Sequence, residues 1–343
     1  MATAQNDSVC VCIAAYNAER TIARAVASAL AQAHVTEVIV VDDASTDATA
    51  AAAEQSDDGT GRLSVAVLER NSGPSVARNA ALARSRAALF CVLDSDDYFL
   101  PDRIRRLLAA DYGAWDFLAD DILIVPESLA ETRAREMSDE AQRAPLTLDL
   151  PTFVRSNISH PRRPRAELGF LKPLMRRRFL DGRNLRYEPG LRLGEDYALY
   201  VNALMAGAKF KVAGFSGYVA VERSSSLSAV HKAADLAAIC AFDTASAETP
   251  GLYEPARQAL AAHEQATAGK WALARALEIR REQGVGAALR FLSRQPASIP
   301  YVASEIARAK SARLGRRLWG QDNGDAGQPA IRRLIGEKTI GVV

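Results

Sequence analysis

Apolar and polar positions along the first hundred residues alternate between two periods. Short, nearly unbroken apolar runs predict four buried strands: VCVCIA at 9–14, EVIVVDD at 37–43, LSVAVLE at 63–69 and AALFCVLD ending at Asp94. Between them the spacing turns helical. Ile22, Val26 and Leu30 fall at i, i+4 and i+8 and predict a helix from about 18 to 32. ASTDATAAAAEQ predicts an Ala-rich helix with Ser45 or Thr46 as N-cap, and NSGPSVARNAALARS predicts a loop and a helix with Ser75 as N-cap. Strands alternating with helices of this length predict parallel βαβ units.

Further on, Pro101 opens the helical PDRIRRLLAA, where its missing N–H costs nothing, and DFLADDILIV at 116–125 predicts another strand. Residues 126–165 are polar, charged and proline-bearing, which predicts a mobile excursion over the sheet. GEDYALYVNALMAG at 194–207 predicts a helix stopped by Gly207, and AKFKVA and GYVAVE predict two closing strands. After about residue 235 the pattern is helical, and QDNGDAGQPAIRRLIGEKTIGVV is expected to be a loosely held tail.

Composition narrows the class. With 343 residues, 48% hydrophobic and 24% charged, the chain is globular and long enough for two domains. A net charge of +2 argues against a general nucleic-acid binder. Cys10, Cys12 and Cys91 lie in strand-like runs and Cys240 in a helical one, with no CxxC pair, which points to a reduced, cytoplasmic protein. The N-terminus shows no signal peptide, and no apolar window is long enough to span a bilayer. At a membrane the protein is expected to lie on the inner face or dock to a partner. Between Trp271 and Gly320 there are ten Arg/Lys against three Asp/Glu, with Phe291, Tyr301 and Trp319 interleaved. This basic helical segment fits peripheral contact with the anionic cytoplasmic membrane, and equally packing on the first half or a homo-oligomer.

Candidate chemistry collects at the strand ends. Strand one ends at Tyr16 and Asn17, strand two at Asp42 and Asp43, strand four at Asp94, Asp96 and Asp97. In open α/β sheets ligands bind outside the carboxyl ends of the strands. Like charges as close as Asp94, Asp96 and Asp97 suit a hard cation, Mg²⁺ or Mn²⁺, that takes one or two protein carboxylates and completes its shell with substrate phosphates and water. The plainer reading makes Asp94 a turn cap and turns Asp96 and Asp97 to solvent. The first βα turn, AAYNAER, lacks the glycines of a dinucleotide-binding GxGxxG, and there is no GxxxxGK[ST] phosphate loop.

Five segments in order carry a specific resemblance: VCIAAYNAERTIARAVASALAQ, EVIVVDDASTDAT, NSGPSVARNAAL, VLDSDDYFLPDRI and GEDYALYVNALMAGAKF. Over residues 8 to about 225 the chain resembles the family 2 glycosyltransferases, inverting enzymes that use nucleotide-diphospho-sugars. Within them it is similar to bacterial glucosyltransferases that extend a lipid-linked exopolysaccharide repeat unit, as in succinoglycan assembly. The resemblance implies a GT-A fold, a Rossmann-like mixed α/β sheet flanked by helices. It implies a catalytic domain over 1–235, with a nucleotide-binding half at 8–100 and an acceptor half at 101–235, then a helical extension with a loose tail over 236–343.

The resemblance also implies site roles. Ala15, Tyr16 and Asn17 would line the nucleotide pocket, although the family usually has proline at or near position 15. Asp43, beside Asp42, would accept from a uracil ring N–H, and Arg78 would contact the uridine diphosphate, behind the loop shaped by Gly73 and Pro74. Asp94 and Ser95 would lie near ribose and sugar, Asp96 on Mn²⁺ or Mg²⁺, and Asp97 would position that shell. Glu195 and Asp196 match the family's ED pair, with Asp196 as general base toward the acceptor hydroxyl. Dipole compensation at a helix start is the plainer reading of that pair. His231 is a candidate metal ligand or an ordinary histidine, and Arg223, Ser226 and Ser228 belong to a loop that would close over the diphosphate. Lys172, Arg176, Arg177 and Arg178 read as a solvated basic face or as contacts to an anionic acceptor such as a polyprenyl pyrophosphate carrier.

Two other functions compete. A non-catalytic nucleotide-sugar-binding subunit would keep Asp43 and Arg78 without a base. A haloacid-dehalogenase-like phosphohydrolase also ends a strand in DxD, but wants Thr or Val where this chain has Tyr98.

Overall fold

The computed structural model describes residues 7–129, 144–159, 167–222, 232–318 and 331–335. The first part builds β1 (Val9–Ala15), α1 (Ile22–Leu30), β2 (Val35–Asp42), α2 (Thr49–Glu54), β3 (Leu63–Val67), α3 (Pro74–Arg84) and β4 (Leu89–Val92). Then come β5 (Tyr98–Phe99), α4 (Arg103–Ala109), β6 (Phe117–Pro126), β7 (Leu146–Leu148), α5 (Leu150–Ser156), β8 (Leu174–Arg176), α6 (Arg177–Gly182), α7 (Glu195–Met205) and β9 (Phe210–Glu222). The last part comprises α8 (Ala233–Ala247), α9 (Glu254–Gln283), α10 (Val285–Ser293), α11 (Ile299–Leu318) and the two-residue β10 (Arg332–Arg333).

One mixed sheet runs β3-β2-β1-β4-β8-β6-β9-β5, with β10 added to β6 and β7 to β9. β1, β2, β3 and β4 are parallel. β1 is apolar throughout and almost wholly buried, as expected of a strand covered on both faces. Its register sets Ala15 beside Asp42 on one side and Cys12 beside Val92 on the other. The carboxyl ends of the three strands therefore meet at one edge. The chain leaves β1 toward β2 and β3 and returns on its far side as β4, so this edge is the switch point where open α/β sheets form a crevice.

α1 buries Ile22, Ala25, Val26, Ala29 and Leu30, the face its spacing predicts. The expected caps differ. α2 begins only at Thr49 and α3 already at Pro74, and neither has a side-chain cap. The hydroxyls expected to cap them are used across the fold: Ser45 Oγ accepts from Asn17 N at 2.9 Å, and Ser75 Oγ donates to Leu191 O at 2.8 Å. The helix after Pro101 starts at Arg103.

The second half departs further from expectation. The two closing strands are one 13-residue strand, β9, parallel to β6, with register shifts beside Asp121 that take up the irregularity. Under it lies a closed ion pair, Arg103 Nη2 to Asp120 Oδ1 at 2.6 Å, both side chains fully buried. Gly217 makes room for it: a Cβ there would stand 2.7 Å from Arg103 Cγ. The described part of 126–165 packs onto the fold. Asp149 caps α5 by accepting from Thr152 N at 2.8 Å, and Phe153 and Val154 join the main core.

α9 also reaches that core, through Ala256, Ala259 and Leu260. Residues 331–335, within the expected loose tail, are docked: Arg332 pairs with Ile124, Leu334 and Ile335 are buried, and Ile335 N donates to Asp121 Oδ1 at 3.0 Å. Among the described residues no helix is long and apolar enough to cross a membrane.

Candidate active site

The switch-point crevice is edged first by two interlocked loops. Asn17, in the left-handed region at φ 50°, donates its backbone N–H to Ser45 and accepts from Thr46 N at 2.9 Å through Oδ1. Asp42 Oδ1 accepts from Ser45 N at 2.9 Å and also from its hydroxyl. Asp43 is buried and accepts from Ser72 N and Gly73 N, each at 2.7 Å, which fixes the entry to α3. Gly73 has φ 90°, a conformation that side-chain-bearing residues rarely adopt. Ala15 is buried, and Tyr16 is 43% exposed at the end of β1.

Arg78 sits at the centre of the second feature. It projects from α3 and is 4% exposed. Its Nη1 donates to Glu195 Oε1 at 2.7 Å and Asp196 Oδ1 at 2.9 Å, and its Nη2 to Asp94 Oδ1 at 2.9 Å. The guanidinium lies 5.3 Å from the Tyr187 ring centroid. Lys172 closes the ring of charges from the segment before β8. Its Nζ bonds Asp196 Oδ2 at 2.6 Å and Asp94 Oδ2 at 3.0 Å. Three carboxylates thus share two cations, leaving a net charge of about −1 if all are ionised.

These neighbours tune the cluster. Burial alone would raise the Asp94 carboxyl, but Lys172 and Arg78 together hold it below the usual range. Burial raises Glu195, with Arg78 opposing and Asp196 reinforcing. Lys172 is raised, because attraction to Asp196 and Asp94 outweighs the burial that would lower it.

The start of α7, which carries Glu195 and Asp196, is pinned from two sides. From α3, Asn79 Nδ2 donates to Tyr187 O at 2.7 Å and its Oδ1 accepts from Tyr187 N at 2.9 Å, while Ser75 holds Leu191 O. From α8, Ile239 packs against Gly194, and fully buried Asp243 accepts from Tyr197 Oη at 2.7 Å. Asp243 also meets His263 Nδ1 at 2.6 Å, and that imidazole stacks on Tyr197 at 4.4 Å.

Beyond Asp94, the acidic run divides. Asp97 turns inward and accepts from Tyr218 Oη at 2.8 Å and Val221 N at 2.9 Å. Burial pushes its carboxyl well up, reinforced by Asp96 and Asp94. Tyr218 Oη in turn accepts from Asp94 N at 3.1 Å, so β9 supports the whole turn. Ser95 and Asp96 are half-buried, and Asp96 O accepts from Arg24 Nη2 at 2.7 Å.

Among the described residues no three His, Cys, Asp or Glu side chains group as a metal cage. Both oxygens of Asp94 already face cations and both of Asp97 accept hydrogen bonds. A half-buried aspartate such as Asp96 is the ligand type that Mg²⁺ and Mn²⁺ take beside nucleotides, their shells completed by phosphate oxygens and water.

The structure therefore gathers Arg78, Asp94, Glu195 and Asp196 into one cluster and Asn17, Asp42 and Asp43 into the adjoining loops. His231, Arg223, Ser226 and Ser228 lie outside the described residues. Of the expected basic face of Lys172, Arg176, Arg177 and Arg178, the three arginines line one pocket with Arg86, and Lys172 stands apart. Lys172 is buried in the cluster, Arg176 lies 3.9 Å from the Trp115 ring centroid, Arg177 Nε binds Ala87 O at 2.9 Å, and Arg178 is exposed. The signal for Lys172 was its setting: one cation in the apolar run FLKPLM, where a buried charge demands partners.

Known proteins share this architecture. The profile of the family described as Glycosyl transferase family 2 matches residues 10–124. Over 314 residues the chain is 44% identical to the succinoglycan biosynthesis protein ExoU of Rhizobium meliloti (strain 1021), covering 92% of this chain and 91% of that protein. It is 41% identical over 236 residues to ExoO of the same organism, named as another succinoglycan biosynthesis protein, covering 68% and 66%. Among solved structures, S. aureus TarS 1-349 in complex with UDP-GlcNAc superposes with a TM-score of 0.60 at 20% identity, covering 90% of this chain and 92% of that one. That likeness shows a shared fold. With the motif order, the switch-point crevice and 44% identity across nine-tenths of both chains, the protein belongs to glycosyl transferase family 2 and is a glycosyltransferase of the GT-A fold.

Proposed function

We propose that the protein transfers a sugar from a UDP-sugar, with inversion, to a lipid-linked oligosaccharide during bacterial exopolysaccharide assembly. The observation that carries this is the ED pair of α7 held within hydrogen-bond reach of the same cations as Asp94 at the end of β4. ExoU supports the exopolysaccharide setting, and the TarS fragment, solved with UDP and with UDP-GlcNAc, supports a UDP-sugar. Glucose as the sugar rests on the likeness to succinoglycan-type glucosyltransferases.

In this reading Asp43 accepts from the uracil ring, and Ala15, Tyr16 and Asn17 flank the base. Asp94 and Ser95 face ribose and sugar. Asp196 takes the proton of the acceptor hydroxyl as that oxygen attacks the anomeric carbon, and UDP leaves from the opposite face. One displacement inverts the centre, so no covalent sugar–enzyme link is required. Mn²⁺ or Mg²⁺, held by Asp96 and the diphosphate, would supply charge stabilisation to the leaving group. The catalytic unit over residues 1–235 is backed by α8, α9 and residues 331–335, and in the extension over 236–343 it is α10 that meets the membrane. Val285 and Leu289, i and i+4 on α10, are each 61% exposed, and Arg280, Arg281, Arg290 and Arg294 lie close in sequence, a pattern suited to an anionic leaflet.

Calorimetric titration of UDP, with and without Mn²⁺, into wild type and Asp96→Asn tests the reading, together with turnover of UDP-glucose. Metal-dependent binding that Asp96→Asn loses is expected. No binding of UDP in either condition would remove the uridine assignment, and equal binding without metal would remove the metal role.

A further inference from the structure

Asp196 has no idle oxygen. Oδ1 accepts from Arg78 at 2.9 Å and Oδ2 from Lys172 at 2.6 Å. With a cationic donor on each oxygen, an approaching hydroxyl finds neither oxygen of this carboxylate open. One cation has to withdraw before a hydroxyl can hand its proton over.

The two cations are held unequally. Arg78 donates to three carboxylates, on β4's end and on α7, and faces Tyr187. A planar guanidinium engaged this way is a fixed hub. Lys172 is held by two carboxylates through one nitrogen on a flexible stem. An ammonium has three N–H donors, and these two carboxylates engage two of them. Its second partner, Asp94, is the most open member of the cluster, with a side chain 34% exposed against 14% for Glu195 and 8% for Asp196. The Asp94 side is therefore the one through which an anion would reach Lys172, whose own side chain is 5% exposed.

We infer that Lys172 is a catalytic residue recruited by the donor: the diphosphate of the bound nucleotide sugar draws its ammonium away from Asp196 and so uncovers Oδ2 for the acceptor hydroxyl. The inference deepens the proposed reaction and rests on it. Its balance is complete. The acceptor O–H proton passes to Asp196 Oδ2, the acceptor oxygen bonds the anomeric carbon, and the electron pair of the broken anomeric C–O bond leaves on the diphosphate, where Lys172 meets the new charge. Without donor, Lys172 keeps the base covered. With donor, it binds the leaving group. An arginine at this position would grip Asp94 and Asp196 as a planar fork and would not make the exchange as readily.

The experiment compares wild type, Lys172→Met and Lys172→Arg by calorimetry with UDP and UMP, and by turnover of UDP-glucose. Lys172→Met is expected to weaken UDP about tenfold or more while UMP, lacking the second phosphate, changes less than about twofold. Its turnover is expected to fall about a hundredfold. Lys172→Arg is expected to recover UDP affinity but not turnover, a split that charge alone would not produce. Equal weakening of UDP and UMP, or wild-type turnover in either variant, overturns the inference. A crystal structure of the wild type with UDP decides the case if Lys172→Met does not fold. Lys172 Nζ on the terminal phosphate and parted from Asp196 supports the exchange, and an intact Lys172–Asp196 pair overturns it. If wild type binds no UDP, the UDP-sugar reading itself falls and takes this inference with it, a result distinct from any variant effect.

Discussion

Among the described residues, the buried Arg103–Asp120 pair and the cluster around Arg78 and Lys172 differ in how they are closed. In the first, Arg103 and Asp120 are fully buried and balance one to one. Asp120 accepts from Arg103 Nε and Nη2 and from Gly217 N, and the guanidinium lies 4.5 Å from the Phe99 ring centroid. In the second, three carboxylates share two cations and Asp94 is open to the crevice. The two touch: Arg103 Nη2 donates to Lys172 O at 2.6 Å, so the closed pair holds the backbone of the open cluster's lysine. A neutral pair sealed from water has no ligand to await. Its desolvation penalty is offset only by good geometry, and it acts as scaffold. A surplus of negative charge beside solvent is poorly satisfied by the protein alone, and a cation that arrives with an anionic substrate can complete it.

The sharpest way to break this contrast is Asp196→Asn. Turnover is expected to fall about a thousandfold, the range of general-base loss, with the circular dichroism spectrum unchanged. Activity within a factor of a few of wild type would strip the open cluster of its catalytic role. Arg103→Met should act on stability instead. It strands the Asp120 charge and is expected to cost about 3–5 kcal/mol in denaturant unfolding. A smaller loss than that of Lys172→Met would reverse the scaffold assignment.

Asp243→Ala leaves Tyr197 Oη and His263 Nδ1 without their shared acceptor. About 2–3 kcal/mol of stability is expected to go, with turnover reduced because α7 is less firmly seated. Gly217→Ala should cost about 1–3 kcal/mol through its clash with Arg103, visible as a lower melting temperature. Leu289→Asp is the gentlest test. Stability should stay within about 0.5 kcal/mol, since the side chain is exposed, while sedimentation with vesicles containing anionic lipid should drop.

Much of the first half was legible because its signals are local. Apolar runs followed by carboxylates mark buried strands with polar ends, and the parallel pairing seen here follows from the helices between them. The caps were misread because Ser45 and Ser75 were claimed by partners 28 and 116 residues away. The single β9 was misread as two strands because its glycines suggest a break, whereas Gly217 leaves room for a buried arginine. Lys172 was misread because a lysine is nearly always solvated, and only Asp94 and Asp196, 78 and 24 residues distant, make its burial tolerable.

A family resemblance singled out the ED and DxD carboxylates, and by itself the sequence determined the alternation of strand and helix and the edge where polar residues collect. These depend on hydrophobic period and nearest neighbours, which a linear chain displays. Tertiary structure alone decided which charges share one cluster. Arg78, Asp94, Lys172 and Asp196 come from four separate segments, and electrostatic energy depends on distances of about 3 Å that only packing sets.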